Sequence, residues 1–462
     1  MSTARPTVTA GTPPTALRTL LQLALPMVLA RATQSVMTFA DALQVSHLGA
    51  GAIAATATGG MNPFVVVMIP MGTVFIVQSF VAQLVGRGDR AHTGRFAYYG
   101  LAIAVAAGLL ALAAIPAVGP ILSHSSYSPG VQRDMATYMS IRLLSVTAIV
   151  VIESLGSFYG GLGNTYMAMI AGIIAMVVNI ALNWVLIDGN LGAPAMGVAG
   201  TALATTIGTW CGAIFMLVAF WSGRGGAPAR VRPRGLSFAE LRRVVRFGLP
   251  TGVNYFMEFA AFQIFINVLL AGLGDTTVAA MNVVIAINSI AFMPAFGLAS
   301  AGAILAGTAI GNNERDRVGP AVRLTMICNI VWMLAITALY LIAPARLLGL
   351  FAGGDQTAAL VTVGAGMLVI SAANQLFDAI AMTLAETLRA AGDTTWTMAV
   401  RLALAWLVFL PSGYLVIHVF HGGAIGAMVC LAAYMALTAG ALVYRYRSGA
   451  WRSIDLIEPA LV

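Results

Sequence analysis

The stretch FGLPTGVNYFMEFAAFQIFINVLLAGLG, residues 247–274, decides how the rest of the chain is read. At about 1.5 Å per residue it is long enough to cross the ~30 Å hydrocarbon core of a bilayer as a helix. Yet one carboxylate, Glu258, sits in a run that is otherwise almost wholly apolar. Runs of this kind recur throughout the 462 residues, which are 60% hydrophobic and only 9% charged. A soluble domain carries about 25% charged residues. The chain is therefore an all-α, polytopic membrane protein, and Glu258 needs a reason to be where it is.

The apolar runs predict twelve helices, at 16–46, 52–85, 93–122, 133–160, 165–187, 194–222, 238–271, 276–310, 317–345, 357–390, 395–417 and 423–446. The lead MSTARPTVTAGTPPTALRT has no apolar core followed by a small-residue cleavage site, so no cleaved signal peptide is expected. The net charge is +8, and all 24 basic residues are arginine. They follow the loop asymmetry of membrane proteins rather than a nucleic-acid footprint. With the N-terminus inside, the even-numbered loops and both tails hold 19 of them: Arg5, Arg18, Arg87, Arg90, Arg95, seven from Arg224 to Arg246, Arg315, Arg317, Arg323, Arg389, Arg445, Arg447 and Arg452. The outer loops hold only Arg133 and Arg346, while Arg31, Arg142 and Arg401 fall within helices. Both termini are therefore expected in the cytoplasm of a cell (inner) membrane protein. Cys211, Cys328 and Cys430 lie in apolar stretches and are expected as small buried side chains, without disulfide or metal.

The polar segment SGRGGAPARVRPRG (222–235) falls at the midpoint, and the two halves match in order. LALPMVLARATQS (23–35) pairs with FGLPTGVNYFMEF (247–259), and HLGAGAIAA (47–55) with GLGDTTVAA (272–280). Gly86 and Gly311 close matching helices ahead of charged turns. GLGNTYMAM (161–169) pairs with AAGDTTWTM (390–398), and GVAGTAL (197–203) with GAIGAMV (423–429), all at offsets of 224 to 229 residues. Two six-helix repeats follow. The expected organisation is a lead at 1–15, a first bundle at 16–222, a cytoplasmic linker at 223–237, a second bundle at 238–446 and a tail at 447–462. An even number of spans gives both repeats the same orientation, with a site expected between them.

Five acids fall inside spans: Asp41, Glu153, Glu258, Asp378 and Glu386. A carboxylate in a span faces a cavity, pairs with a cation or takes up a proton, because bare desolvation is too costly. Glu258 lies about thirteen residues, roughly 20 Å, into the seventh helix. Asp378 lies fourteen residues before Gly392 and so at a similar height in the tenth. Two carboxylates that converge resist both being charged, so the pair suits a proton or a metal cation such as Na⁺. No arginine is expected at their depth on helices 7 to 12. Glu153 and Arg142 lie on one face of helix 4, eleven residues apart, and predict a structural charge network that draws in Arg31. Glu386 is expected at the interface beside Arg389. Around Asp41, Asn179 and Asn183 share a helix face, and Thr205 and Thr206 follow on the next helix. They predict either a hydrogen-bonded cluster or ordinary polar packing.

No HExxH, GxSxG or phosphate-binding loop occurs, and the five histidines lie at loops or helix ends. A membrane-embedded enzyme would need paired catalytic aspartates or a metal motif at a membrane face. No loop is long enough for a nucleotide-binding domain.

LPMVLARATQSVMTFADALQVSHLG in helix 1, VNIALN in helix 5, GVAGTALAT in helix 6, GLPTGVNYFMEFAAF in helix 7 and NQLFDAIAMTLAETLRAAGDTTWTM in helices 10 and 11 together resemble the multidrug and toxic compound extrusion (MATE) family, NorM-like branch, over residues 16–446. The resemblance implies a V-shaped pair of six-helix bundles that exports organic cations or drugs in exchange for H⁺ or Na⁺ by alternating access. No other cofactor, and a monomer in the bilayer, are expected. By the same resemblance Asp41, Asn179 and Thr205 match the family's first-half cation site, and Glu258 and Asp378 its helix 7 and helix 10 acids, where Na⁺ would sit if the ion is a metal. Asn183 stands where the DinF-like branch carries an aspartate, which shifts the expected coupling toward the second half. Asn374, one turn before Asp378, stands where an aromatic would be sought. Phe256, Met257, Phe259, Phe292 and Met293, with Asn374, are the expected drug contacts, through cation–π and thioether packing. The alternative is a flippase for a lipid-linked saccharide, which would need a strongly cationic cavity.

Overall fold

A computed structural model describes residues 13–125, 127–228, 235–350 and 357–457. Most of the lead, the middle of the linker with Arg230, Arg232 and Arg234, and the end of the tail lie outside the described residues. The described chain is helical, with no strand among the described residues.

The elements are α1 (Pro13–Val45), α2 (Ala50–Val74), α3 (Ile76–Gly86), α4 (Thr93–Leu122), α5 (Pro129–Leu143), α6 (Val146–Gly161), α7 (Tyr166–Asp188) and α8 (Val198–Trp221). There follow α9 (Phe238–Ile264), α10 (Asp275–Gly311), α11 (Val318–Ile342), α12 (Pro344–Gly349), α13 (Thr357–Ala391), α14 (Thr394–Ala403), α15 (Leu410–Tyr414) and α16 (Gly423–Arg447). Eleven are long and apolar enough to span a membrane, alone or with their extensions, and the bent pair α5–α6 makes a twelfth. The twelve expected spans are all present, with differences at their joints. The fourth span is not straight but bends by 43° between Leu143 and Val146. There the Ser145 hydroxyl donates to the Arg142 carbonyl at 2.7 Å, competing with the helix ladder. It also starts at Pro129, which is suited to a first helical turn because it has no N–H to satisfy. The seventh and eleventh spans run through π turns, Phe265–Leu269 and Leu404–Phe409.

The chain forms two compact units, and their borders fall inside helices rather than in the linker. One unit is Leu25–Gly252; the other joins Met1–Ala24 to Val253–Val462. Each border sits beside a Leu-Pro pair, Leu25-Pro26 or Leu249-Pro250, where proline removes a backbone donor from the helix ladder.

Within Leu25–Gly252, small residues decide how closely α8 lies on α7. Gly200, Gly208 and Gly212 recur on one face of α8. A Cβ on Gly208 would stand 2.6 Å from the Ala175 carbonyl oxygen and 3.1 Å from the Asn179 nitrogen. Only a hydrogen fits, and the helices meet backbone to backbone, as small residues permit in membranes. Gly208→Val is expected to cost about 1–3 kcal/mol through overpacking and to push Thr205 away from α7. A lowered melting temperature in detergent, together with slowed transport, checks this. In the other unit the core centres on aromatic rings. Phe409 packs on Phe265 at 4.7 Å and on Tyr434 at 5.1 Å between centroids.

Candidate functional site

Two clusters form around acids inside the spans, one in each unit: Asp41 is buried, and Glu258 and Asp378 are half-buried.

In Leu25–Gly252 the cluster is built on α1, α7 and α8. Asn179 and Asn183 are one turn apart on α7, so both amides face the same neighbour. That neighbour is Asp41, only 6% exposed. Asn179 donates to Asp41 Oδ1 at 3.0 Å and Asn183 donates to the same oxygen at 2.5 Å. Thr205 Oγ1 lies 3.2 Å from Asp41 Oδ2, 3.0 Å from Asn179 Nδ2 and 2.8 Å from the Thr201 carbonyl. The close approach of α7 and α8 brings this threonine into reach. Thr206, its neighbour, points elsewhere and meets the Ile141 carbonyl at 3.3 Å. Arg142 and Tyr138 on α5 lie within Coulombic reach of the same acid. Asn179 Oδ1 and Asn183 Oδ1 are buried without a hydrogen-bond partner among the described residues, while both amide nitrogens face Asp41.

Glu153 does not pair with Arg142, as its helix face suggested. It takes a two-pronged ion pair from Arg31, with Nη1 at 2.7 Å and Nη2 at 2.8 Å. Arg142 lies eleven residues, roughly 16 Å along the helix, from Glu153, too far for a direct ion pair, and Arg31 supplies the cation instead.

In the other unit the cluster is built on α9, α13, α14 and α16. Asp378 lies within Coulombic reach of both Glu258 and Arg401. The expectation that no arginine shares this depth is corrected. Arg401 Nη2 donates to both oxygens of Glu258, at 2.9 and 2.7 Å. Tyr434, held by the Phe409 stack, donates to Glu258 Oε1 at 2.8 Å. Asn254, one turn earlier on α9, donates to Oε2 at 3.4 Å. Glu258 is thus an arginine-paired acid, and Asp378 has no hydrogen-bond partner among the described residues. Asn374 is 4% exposed, and its Oδ1 has no donor among the described residues. Glu386 pairs with Arg389, as expected, and the two are buried, each 4% exposed. Tyr255 lies within Coulombic reach of this pair and of Glu258 and Arg401.

The expected drug contacts are scattered. Phe256, Met257 and Phe259 are half-buried on the Glu258 turn, and the Met257 carbonyl accepts from Trp406 Nε1 at 3.2 Å. Phe292 is exposed on α10 and stacks on Phe296, beside half-buried Met293. Consecutive residues on a helix point about 100° apart, so these side chains do not form one face with Glu258.

Sequence reasoning missed Arg401 and Tyr434. Arg401 carried a signal, as one of three arginines inside spans with no partner assigned. Tyr434 carried none, since a tyrosine in an apolar helix reads as packing.

A family model described as MatE matches residues 26–185 and 250–415. The chain belongs to the MatE family. The two matched segments begin at Pro26 and Pro250, the paired positions of the internal repeat. The MatE protein is similar to the probable multidrug resistance protein NorM of Pseudomonas putida, 28% identical over 97% of both chains. It is 30% identical to the NorM of Neisseria meningitidis serogroup B, over 92% of this chain and 93% of that one. These relatives set it in the NorM-like branch as a multi-pass membrane protein. Among solved structures, a MOP superfamily transporter from Pyrococcus furiosus matches with a TM-score of 0.87 at 18% identity, over 95% of this chain and 97% of that one. A multidrug resistance MATE family transporter in an outward-facing conformation matches with a TM-score of 0.86 at 18% identity, over 95% and 97%. At that identity the likeness concerns the fold.

Proposed function

We propose that this MatE protein is a secondary multidrug efflux transporter that exports lipophilic organic cations in exchange for H⁺ or Na⁺ by alternating access. The observation that carries the reading is the pair of hydrogen-bonded acid clusters inside the spans, one in each unit of a chain whose relatives are named multidrug resistance proteins. Asp41, with Asn179 and Thr205, and Asp378 with Glu258 are the groups that hold the coupling ion. Both termini lie in the cytoplasm, on the arginine asymmetry. Deprotonated acid attracts the cationic drug, and an incoming ion neutralises the acid and releases it. Because drug and ion compete for one charge, neither crosses freely with the other.

A flippase for a lipid-linked diphosphate fits less well. In the second cluster two carboxylates face one guanidinium, so the sum of charge is −1, the wrong sign for phosphate.

The test uses purified protein in liposomes with a pH-sensitive dye inside. H⁺ and Na⁺ gradients are imposed separately, and ethidium or a fluoroquinolone is added. Drug-triggered collapse of one gradient is expected. Silence under both overturns the reading.

A further inference from the structure

We propose that Arg401 is a resident counter-ion that makes the second acid cluster specific for protons. It takes the place a metal cation would occupy against Glu258, and it leaves Asp378 as the group that binds and releases the exchanged ion. This rests on the antiport reading above and narrows it to one ion.

Three observations carry it. The first is occupancy of lone pairs. Glu258 receives Arg401 on both oxygens, Tyr434 on one and Asn254 on the other. A hard metal cation must gather several oxygens with free lone pairs. Here the richest oxygen donor is already turned toward a guanidinium, whose fixed positive charge repels a second cation. A proton needs one lone pair and no shell.

The second is charge. Glu258 and Arg401 cancel, which leaves a single negative charge on Asp378. The other charged or titratable groups facing the cluster do not supply another. Glu386 and Arg389 on α13 cancel each other, and Tyr255 and Tyr434 are neutral phenols. On the neighbouring helices, α10 carries only Asp275, in its first turn, and α11 carries Arg323 near its start, Cys328 and Tyr340.

The third is a matched pair of orphans. Among the described residues, Arg401 Nε is buried with no acceptor, and Asn374 Oδ1 is buried with no donor. Asn374 is one turn from Asp378 on the same face of α13. Ionised Asp378 offers an acceptor to Arg401 Nε. Protonated Asp378 becomes a donor, and Asn374 Oδ1 is the acceptor within one turn. The structure shows neither bond made; a turn of the Asp378 side chain would let each protonation state satisfy a different buried group. No atom besides the proton has to arrive or leave.

The experiment uses the full chain in liposomes, with ethidium as drug probe and ²²Na⁺ as ion probe. The wild type is expected to collapse a pH gradient in Na⁺-free medium, at a rate that added Na⁺ leaves unchanged. It should bind no more ²²Na⁺ than Asp378→Asn. Arg401→Gln removes the resident cation while keeping hydrogen-bonding capacity, and Na⁺ is then expected to bind and to compete with the proton. Exchange that follows the Na⁺ gradient alone, or wild-type ²²Na⁺ binding that is lost in Asp378→Asn, overturns the proposal while leaving antiport intact. If Arg401→Gln does not fold, the wild-type pair of measurements decides. Silence of the wild type under both gradients overturns the antiport reading itself.

Discussion

Glu258→Gln is expected to abolish drug-driven exchange and to destabilise the protein at the same time. Two effects are combined. The amide loses the charge that draws a cationic drug toward the second cluster. It also leaves Arg401 buried without its counter-ion, next to an Nε that already lacks an acceptor. Breaking a buried pair by removing one partner costs about 3–5 kcal/mol. The lower end applies here, because Arg401 and Glu258 keep 20% and 18% of their side-chain exposure. The double variant Glu258→Gln/Arg401→Gln tests both effects at once. It should recover most of the melting temperature, since two neutral amides can hydrogen-bond where two charges had to pair, and because it restores the single negative charge on Asp378 it should recover part of the exchange. Wild-type exchange in the single variant would show that Glu258 is a structural acid.

Asp41→Asn should also remove exchange, but with little loss of fold. The asparagine keeps the shape, and its one carbonyl oxygen can still accept from Asn179 and Asn183, which both use a single oxygen of Asp41. Its amide takes the other position, opposite Thr205. There the Thr205 hydroxyl can accept, because its own hydrogen has the Thr201 carbonyl at 2.8 Å to go to. The folding cost should therefore stay at about 1 kcal/mol, the scale of one rearranged hydrogen bond. An amide, however, cannot take up and release a proton or hold a cation by charge. Dye-loaded liposomes and a melting curve on the same preparation check both halves of the prediction. Unchanged exchange would mark the Asp41 cluster as polar packing, the other reading its spacing allows.

Much of this protein is legible without a structure. Hydropathy and length identify the twelve spans, because a bilayer demands about 20 apolar residues per helix whatever the partners. Matching punctuation at offsets of 224 to 229 residues reveals the duplication, and the cost of desolvating charge singles out five acids. Those are local properties, carried by each segment alone. Pairing is not local. Arg401 precedes a π turn on one helix and Glu258 sits on another 143 residues away. Counting turns from the helix start put them at different heights, and the length of an arginine side chain closes the gap. For Glu153 the expected network with Arg142 and Arg31 resolves to a two-pronged ion pair with Arg31. Thr205 and Thr206 point about 100° apart on α8, and the packing of α8 on α7 decides which of them reaches Asp41. The sequence alone determined which charges lie inside the membrane, because that depends on the residue and the solvent. Which cation neutralises which acid was decided only by the tertiary structure, because that depends on which helices become neighbours and how far a side chain can reach between them.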